Sequence, residues 1–379
     1  NASHEQGREA FLMGALCNIL ETDDHHRESV VHPGCVVVPA AWALARKRGA
    51  GGQQLLTAIL HGFEAATRVG MAVGPEHYRI WHNTATCGPF GSAMAAASLL
   101  GLDKAQTVHA LGNAGSLSSG LWQFLETGAM TKHLHAGHAA EAGIRAAELA
   151  AFGFTGPPAI LEGEKGFFRA ACPDADPAAV MRNPDADWQL TRTSIKPWPS
   201  CRHTHPTIDA AEELRARLIA AGRKPEDIAE VEVETYRAAI DVCDRPRATS
   251  DYEAKFSLQH TAAAALLLPQ VDFAAFGPEA RELCAELALK VKAEAVEPWA
   301  SAYPGSWGGC VSIRLKDGYQ DKAKRVNAKG DPEAPLSRDE MIAKADMLLR
   351  HGNVPDPASI IEAILNLPSE EALPRLDFA

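Results

Sequence analysis

The sequence predicts a mainly α-helical protein that carries a smaller α+β domain. Up to about residue 180 the chain has no long run with the period-two alternation of a strand, and its apolar segments are rich in Ala and Gly. Such small residues allow helices to approach one another closely, as in a compact α-bundle. The predicted helices cover 36–48, 53–73, 88–100, 105–115 and 139–152.

The pattern changes after about residue 190. Residues 228–236 alternate apolar and acidic side chains, which predicts a half-buried strand, and 291–296 and 310–315 are further strand candidates. Helical segments at 207–221 and 256–268 lie between them. This mixture of strands and helices indicates an α+β domain.

Two further helices are predicted near the C-terminal end. Ser337 and Glu340 have the spacing of a capping box and open a helix that runs to 349, and 357–365 forms the last one. The polar, basic stretch from 317 to 335 is interpreted as a hairpin tail or loop. The predicted domains are therefore 1–190 (first part of the helical domain), 191–320 (α+β) and 321–379, whose helices rejoin the helical domain.

With 379 residues, of which 46% are hydrophobic and 22% charged, the chain has the composition of a globular protein. Its formal charge of −11 is not offset by a long basic stretch, which argues against nucleic acid or an anionic membrane as a partner. The apolar runs are too short to span a membrane, and residues 1–6 show no signal-peptide features. The eight cysteines lack the two-residue spacing of a zinc or redox site, which predicts reduced, mostly buried thiols in a cytoplasmic protein.

An acidic and histidine-rich cluster lies between residues 21 and 33, directly after a helix-like apolar run. Carboxylates beside histidines shift a pKa towards neutrality or hold a metal. The structural alternative is a solvated loop between two helices. The cluster consists of Glu21, Asp23, Asp24, His25, His26, Glu28 and His32.

Two more polar clusters stand next to helical segments. His82, followed by Thr84, lies just ahead of an Ala- and Gly-rich helix, where free backbone amides favour an anion, and the alternative is a histidine packed under Trp81. In the other cluster, a buried Lys132 is expected to bind a substrate carboxylate or to act as a base. Two of its histidines, three residues apart, have the spacing to share a helical face and bind zinc. Its members are Gly128, Thr131, Lys132, His133, His135, Gly137 and His138.

The segment 195–206 lies where the helical part gives way to the α+β domain. Pro197 and Pro199 stiffen it, so Lys196 and Arg202 are expected to be held in place rather than to trail in solvent. Clefts between domains are preferred ligand sites, and the alternative is a rigid linker with surface charges. His260, at the start of an alanine-rich helix, is a weaker candidate.

In this order and with these contexts, the clusters resemble the MmgE/PrpD family, which includes 2-methylcitrate dehydratase, cis-aconitate decarboxylase and iminodisuccinate epimerase. The similarity covers nearly the whole chain. The segments that carry it are Glu21-Thr-Asp-Asp24 followed by His32-Pro-Gly, His82-Asn-Thr-Ala-Thr-Cys-Gly-Pro-Phe-Gly, Ala97-Ser-Leu-Leu-Gly-Leu-Asp103, Met130-Thr-Lys132-His-Leu-His-Ala-Gly, Ile195-Lys196-Pro-Trp-Pro-Ser-Cys-Arg-His-Thr-His205 and Phe256-Ser-Leu-Gln-His260.

The resemblance implies a large helical domain, a smaller α+β lid domain inserted before the C-terminal helices, and a homodimer. It also implies chemistry on di- and tricarboxylates without a metal or an organic cofactor. Glu21 stands where many members have Asp, and His260 stands where several have Tyr. The positions that match the family's active-site His, its two Lys and its acidic-His motif are His82, Lys132, Lys196, Asp23, Asp24 and His32.

The resulting hypothesis is the abstraction of a proton next to a carboxylate. His82 is the expected base because its pKa needs the smallest adjustment. Fixed cations are expected to stabilise the anionic intermediate, and Asp24 or Glu21 to orient His32 as the acid that assists loss of a hydroxyl. The cations are Lys132, Lys196 and Arg202, and further substrate contacts are expected from Asp23, Glu21, Arg202, His203, His260, Thr84 and Thr131.

Several activities fit this hypothesis. Dehydration, as by 2-methylcitrate dehydratase, is placed first, followed by epimerisation of an imino- or amino-dicarboxylate with His260 as the opposing acid, and decarboxylation of the cis-aconitate type is the other alternative. A different class is a metal-dependent hydrolase that uses His25, His26, His133 and His135. Family members also begin with several dozen further residues of helix. A truncated homologue that binds dicarboxylates without turning them over is therefore the remaining alternative.

Overall fold

The computed structural model describes residues 5–127, 129–186 and 188–375. Residues 1–4 and Gly128, which the sequence interpretation used, lie outside these ranges. The chain forms two compact units: unit 1 comprises Asn1–Ile19, Asp23–Ser194 and Ser337–Ala379, and unit 2 comprises Leu20–Thr22 and Ile195–Leu336. Unit 1 is mainly helical and unit 2 is α+β, so the predicted fold class is confirmed.

Helices dominate the described residues, and the longer strands all lie in unit 2. The helices are α1 (Glu5–Ile19), α2 (Gly34–Arg48), α3 (Gly52–Ala72), α4 (Pro75–Tyr78), α5 (Asn83–Leu100), α6 (Lys104–Ser116), α7 (Thr131–Ala151), α8 (Phe167–Ala171), α9 (His205–Ala220), α10 (Arg237–Cys243), α11 (Asp251–Lys255), α12 (Leu258–Leu267), α13 (Pro278–Ala288), α14 (Trp299–Ala302), α15 (Arg338–His351) and α16 (Pro357–Leu365). The strands are β1 (His25–His26), β2 (Thr193–Ser194), β3 (Ile228–Thr235), β4 (Val291–Ala295), β5 (Gly309–Leu315) and β6 (Gln320–Arg325).

Glycines allow the central helices of unit 1 to touch backbone to backbone. Gly62 on α3 and Gly91 on α5 face each other, and a Cβ on either would lie 2.8 Å from the other's carbonyl oxygen. Gly143 on α7 leaves no room for a side chain beside Ser92 of α5, whose hydroxyl donates a 2.6 Å hydrogen bond to the carbonyl of Ala139. Because protein interiors are close-packed, these contacts fix the relative positions of α5 and α7.

The helix α1 packs against α7 in the same way. A Cβ on Gly14 would lie 3.0 Å from the carbonyl oxygen of Ala136, and Gly137 lies against Phe11. This contact brings Asn18, in the last turn of α1, to His133, in the first turn of α7. The segment that follows α1 is tied down by the antiparallel pairing of β1 with β2.

Unit 2 is built on a four-stranded sheet with the order β4-β3-β5-β6. The strand β3 pairs parallel with β4 and antiparallel with β5, which pairs antiparallel with β6. Val231 and Val233 are buried and Glu232 between them is exposed, so the predicted half-buried strand is confirmed. The valines share a core with Leu214 of α9 and Leu258 of α12.

The second unit extends beyond the predicted boundary at 320. Gln320–Arg325, within the stretch interpreted as a hairpin tail or loop, forms β6 and pairs with β5. Only Ala323 of this strand is buried, so the hydrophobic pattern gives little sign of it. In the structure the unit ends at Leu336, and its main segment begins at Ile195 rather than 191.

Local signals at helix ends and cysteines agree with the structure. Asp103 with Gln106 and Ser337 with Glu340 form capping boxes. All eight cysteines lie in the described residues as free thiols, and seven of them are buried. Among the described residues, no helix is both long and apolar enough to cross a membrane.

Candidate active site

In unit 1, Asp23 orients His32. The Nδ1 of His32 donates to the main-chain carbonyl of Asp24 at 2.7 Å and lies 3.2 Å from Oδ2 of Asp23. The same oxygen of Asp23 accepts a 2.8 Å hydrogen bond from Asn18 Nδ2. The carboxylate that contacts the ring of His32 is therefore Asp23, whereas the sequence analysis expected Asp24 or Glu21 to orient it.

The carboxyl group of Asp24 turns towards the start of α2. Its Oδ1 accepts a 2.8 Å hydrogen bond from the backbone N–H of Gly34, and a Cβ at Gly34 would overlap with it. Burial, and secondly the charge of Asp23, raise the pKa of Asp24 from 3.8 to about 6, against the opposing effect of His32. Asp24 is thus a group that exchanges a proton just below neutral pH.

Thr84 connects this segment to α5. Its Oγ1 accepts a 3.0 Å hydrogen bond from the backbone N–H of His32, and the residue is fully buried. Thr84 was predicted to contact substrate. In the structure its side-chain oxygen is hydrogen-bonded to the backbone of His32. The ring of His25 lies 5.0 Å from that of His32, edge to face.

His82 precedes the first residue of α5, as the sequence predicts, and is only 1% exposed. Its backbone N–H donates to the carbonyl of Gly120 at 3.0 Å, and the backbone N–H of Trp122 donates to the carbonyl of Ile80. The imidazole packs on the indole of Trp122, with ring centroids 4.6 Å apart, and not under Trp81. The segment 120–122 therefore forms one wall around His82.

A second histidine contacts His82. Nδ1 of His82 and Nδ1 of His135 are 3.2 Å apart. Burial lowers both pKa values: that of His135 falls to about 4, and that of His82 falls well below its usual value, with further lowering by the charge of Lys132. Both rings are therefore neutral at pH 7, so one nitrogen of this pair donates and the other accepts.

The direction of that hydrogen bond determines the chemistry of His82. If His82 Nδ1 donates to His135, the Nε2 of His82 carries a lone pair and can accept a proton. The opposite direction leaves a proton on Nε2 and makes His82 a donor. In the first arrangement His135 acts as an acceptor that also stabilises His82 after it has gained a proton.

The first turn of α7 contributes Lys132, three residues before His135 and on the same helix face. Lys132 is mostly buried, and its charge acts on His82. Thr131, predicted to contact substrate, is the first residue of the helix and is half-buried. His133 Nδ1 donates to Asn18 Oδ1 at 2.9 Å, so Asn18 links α7 to Asp23.

The histidines of the metal-hydrolase alternative have separate surroundings. His26 contacts Ser29 at 2.9 Å and Gln189 at 3.2 Å, and burial lowers its pKa to about 4. His133 is bonded to Asn18 and His135 contacts His82. The described residues contain no group of three or more His, Cys, Asp or Glu side chains arranged to hold a metal ion.

In unit 2, Lys196 is paired with Glu21. Both side chains are almost fully buried, and Nζ lies 3.4 Å from Glu21 Oε2 and 3.3 Å from its carbonyl oxygen. Glu21 has a positive φ of 57°, a conformation that non-glycine residues adopt at a cost. Lys255 donates to the carbonyl of Leu20 at 3.4 Å, so the predicted acidic residue lies within a cluster of cations.

Arg202 and His203 follow Lys196 on the same segment. Arg202 Nη2 donates to Oδ1 of Asp331. His203 Nδ1 lies 2.8 Å from the hydroxyl of Tyr236, and its ring stacks on Trp307 at 4.6 Å. Burial, followed by the charges of Arg202 and Lys196, lowers the pKa of His203 to about 3, so this ring is neutral.

His260 lies in the first turn of α12. Its Nε2 donates a 2.8 Å hydrogen bond to the carbonyl of Ala275, and its ring packs near Phe276. Burial lowers its pKa. These contacts are those of a histidine satisfied within the core, and its predicted role as an acid stays a prediction.

Each unit thus contains some of the site residues that the sequence predicted. The residues brought together in unit 1 are Asp23, Asp24, His32, His82, Thr84 and Lys132, and those in unit 2 are Glu21, Lys196, Arg202 and His203. Sequence reasoning missed Asn18, Trp122 and Asp331, and considered His135 only as a metal ligand. The spacing of Lys132 and His135 was a usable signal for a shared helix face, whereas nothing local distinguishes Asn18 or Asp331.

Comparison with known proteins covers both units. Residues 5–179 match the family model of the MmgE/PrpD N-terminal domain, and residues 198–367 match that of the MmgE/PrpD C-terminal domain. The chain is 28% identical to cis-aconitate decarboxylase of Homo sapiens over 96% of this chain and 76% of that protein. It is 27% identical to cis-aconitate decarboxylase of Mus musculus over 97% and 77%. For cis-aconitate decarboxylase of Aspergillus terreus the identity is 28% over 55% of this chain and 45% of that protein.

Proposed function

The chain belongs to the MmgE/PrpD family, and on this basis we propose that it is a cofactor-independent lyase or isomerase of di- or tricarboxylates. The reaction begins with proton transfer at a carbon next to a carboxylate. The observation that carries the proposal is the buried, neutral His82 with Lys132 close by. A neutral imidazole supplies a base, and a cation beside it stabilises the negative charge that proton removal creates.

His82 Nε2 takes the proton, and His135 accepts the hydrogen bond from Nδ1 throughout. Burial and the charge of Lys132 keep His82 unprotonated, so it is ready to act at neutral pH. A positioned base of this kind typically contributes a factor of about 10²–10⁴ to the rate.

Lys132 stabilises the dianionic intermediate, and Lys196 and Arg202 are proposed to bind substrate carboxylates. Glu21 Oε2 lies 3.4 Å from Nζ of Lys196 and so helps to hold this side chain in place. His32, oriented by Asp23, is proposed as the acid that assists a leaving hydroxyl, with Asp24 as a nearby group able to take up or release a proton.

Among the specific reactions we place dehydration of a 2-methylcitrate-like hydroxy acid first. Elimination of water needs an unprotonated base and a separate acid, which are the proposed roles of His82 and His32. Epimerisation needs the same base and a second acid. Decarboxylation is supported by the names of three similar proteins. It requires an enzyme group to deliver a proton to carbon, so His82 would need the opposite tautomer, with its proton on Nε2.

The decisive experiment incubates the protein in D2O with 2-methylcitrate, cis-aconitate, iminodisuccinate and related acids, followed by NMR. We expect deuterium at the carbon next to a carboxylate in at least one of them. The product then identifies the reaction: an alkene for dehydration, loss of CO2 for decarboxylation, an inverted centre for epimerisation.

His82→Gln is the test variant and His61→Gln the control, because His61 is a half-buried histidine that contacts Ser98 on the far part of α5. Exchange should fall by about 10²–10⁴ in the first and stay unchanged in the second. Equal exchange in both would refute the role of His82. Binding without exchange would support the inactive-homologue alternative, and activity that depends on stoichiometric zinc would support the hydrolase alternative.

We further propose that the protein is a cytoplasmic homodimer. Exposed leucines on two packed helices, Leu12 and Leu16 on α1 and Leu134 on α7, support a self-association surface. The eight free thiols are consistent with a reducing compartment.

A further inference from the structure

Arg202 of unit 2 is a buried cation with only part of its guanidinium group bonded. The residue is 4% exposed, and Nη2 donates to Oδ1 of Asp331. Its Nη1 is buried as well and has no hydrogen-bond partner among the described residues. A buried donor of a charged group that lacks an acceptor is costly, and a ligand oxygen at that atom removes the cost.

Asp331 is itself held rigidly. Its Oδ2 accepts a 2.9 Å hydrogen bond from the backbone N–H of Ala328, and its own N–H donates to the carbonyl of Ala328 at 3.0 Å. Gly330, with φ of 86°, accepts a 2.8 Å hydrogen bond from the N–H of Ile195, the residue before Lys196. A Cβ at Gly330 would overlap with the carbonyl of Ile195, so the turn must contain glycine here.

A second buried carboxylate joins the same two segments. Asp209 Oδ1 accepts a 2.9 Å hydrogen bond from Trp198 Nε1, and Oδ2 accepts one of 2.6 Å from the N–H of Lys329. The segment that carries Lys196 and Arg202 is therefore clamped to the turn 328–331 on both sides. The guanidinium consequently has a fixed position, which a merely solvated arginine does not have.

We propose that Arg202 forms a carboxylate subsite and that Asp331 is its positioning residue. Asp331 holds Nη2 and so sets the plane of the guanidinium, which leaves Nη1 to donate to one oxygen of a substrate carboxylate. The neighbouring His203 adds no positive charge, since burial lowers its pKa to about 3, and its ring is bonded to Tyr236 and stacked on Trp307. The inference rests on the proposed function only for the choice of carboxylate as the anion.

The test is calorimetric binding of tricarballylate, a tricarboxylate without a hydroxyl group to eliminate, to the full chain. Arg202→Gln should raise Kd by about 10- to 100-fold, and Asp331→Asn should raise it in the same direction by about tenfold. On the reacting substrate, both changes should act more on KM than on kcat. Arg314→Gln is the matched control, because Arg314 is an exposed arginine of unit 2 that is paired with Glu230.

Breaking a buried ion pair can unfold a protein, so a double variant keeps the test conclusive. In Arg202→Met/Asp331→Leu neither charge is left unpaired, and the fold is expected to survive. A raised Kd in this variant, with the unfolding temperature near that of the parent, supports the subsite. An unchanged Kd, or no binding of tricarballylate by the parent protein, would show that the pair is only a structural brace.

Two outcomes separate the parts of the proposal. If Arg202→Gln weakens binding but Asp331→Asn alters neither Kd nor KM, Asp331 has no positioning role. If the parent binds tricarballylate through Arg202 but exchanges no deuterium with any acid tested, the subsite stands and the proposed lyase function fails.

Discussion

At the residue scale, the hydrogen bond between His82 and His135 determines what His82 can do. Both rings are buried and neutral, and their Nδ1 atoms are 3.2 Å apart. A neutral imidazole offers one donor and one acceptor, so the tautomer of one ring fixes that of the other. His135 is therefore a positioning residue for the proposed base. In the sequence, its three-residue spacing from His138 had suggested a metal ligand.

Replacing His135 with Phe should lower kcat by about 10²-fold with little change in KM, since the base loses its tautomer control but substrate contacts remain. Steady-state kinetics on the substrate identified by deuterium exchange would measure this. His138→Gln, a change on the same helix at a histidine bonded to the carbonyl of Leu117, should be neutral. Parental kcat in the Phe variant would mean that His82 needs no partner at Nδ1.

The raised pKa of Asp24 predicts a pH dependence of stability. The native state holds the proton up to about pH 6, whereas the unfolded chain releases it near 3.8. The proton on Asp24 therefore contributes its full stabilisation of the native state below the pKa of the unfolded chain. This contribution is lost as pH rises through about 4 to 6. Relative to Asp24→Asn, the parent should lose about 1–3 kcal/mol of unfolding free energy across this range, and the difference should be constant above pH 7.

Urea unfolding of both proteins at several pH values, followed by circular dichroism, would measure that difference. A difference that grows in favour of the parent as pH rises would show that the native environment favours ionised Asp24, contrary to its burial.

At the element scale, α5 and α7 position the unit 1 residues. His82 and Thr84 stand at the start of α5, and Lys132 and His135 occupy the first turns of α7. The two helices are in contact where Gly143 faces Ser92. Small residues along this line are thus required by the distance between the helix axes.

Gly143→Ala should lower the free energy of unfolding by roughly 1–3 kcal/mol, because the added methyl group overlaps with Ser92 and with the backbone of Ala93. Chemical denaturation would show the loss. Gly352→Ala is the matched control, since a Cβ there meets no atom closer than 3.5 Å and φ is −79°. If both variants unfold at the same denaturant concentration, α5 and α7 must be able to separate without cost.

Sequence patterns located most of these elements. The predicted helices 53–73 and 105–115 correspond to Gly52–Ala72 and Lys104–Ser116, because Gly and Asp mark their ends. The start of α7 was missed, since its polar first turns have no amphipathic pattern to mark a helix. The strand β6 was missed for the related reason that one buried Ala323 is too little for a period-two signal.

At the scale of the whole molecule, the proposed homodimer gives a direct test. Size-exclusion chromatography with light scattering should show twice the chain mass of 40.5 kDa. Leu16→Glu, which places a charge in an exposed apolar face of α1, should produce monomers, and Leu289→Glu at an exposed site of unit 2 should not. A monomeric parent protein would contradict the proposal.

The sequence by itself determined the fold class, most element positions and the residue types of the candidate site, because periodicity, capping and polar clusters are local signals. Tertiary structure alone decided the partners: Asp23 for His32, His135 for His82, Glu21 for Lys196 and Asp331 for Arg202. Most of these contacts join residues far apart in the chain, and only packing sets such distances. The clusters at residues 21–33 and 128–138 thus predicted which residue types form the candidate site, while the fold determined which side chain each of them contacts.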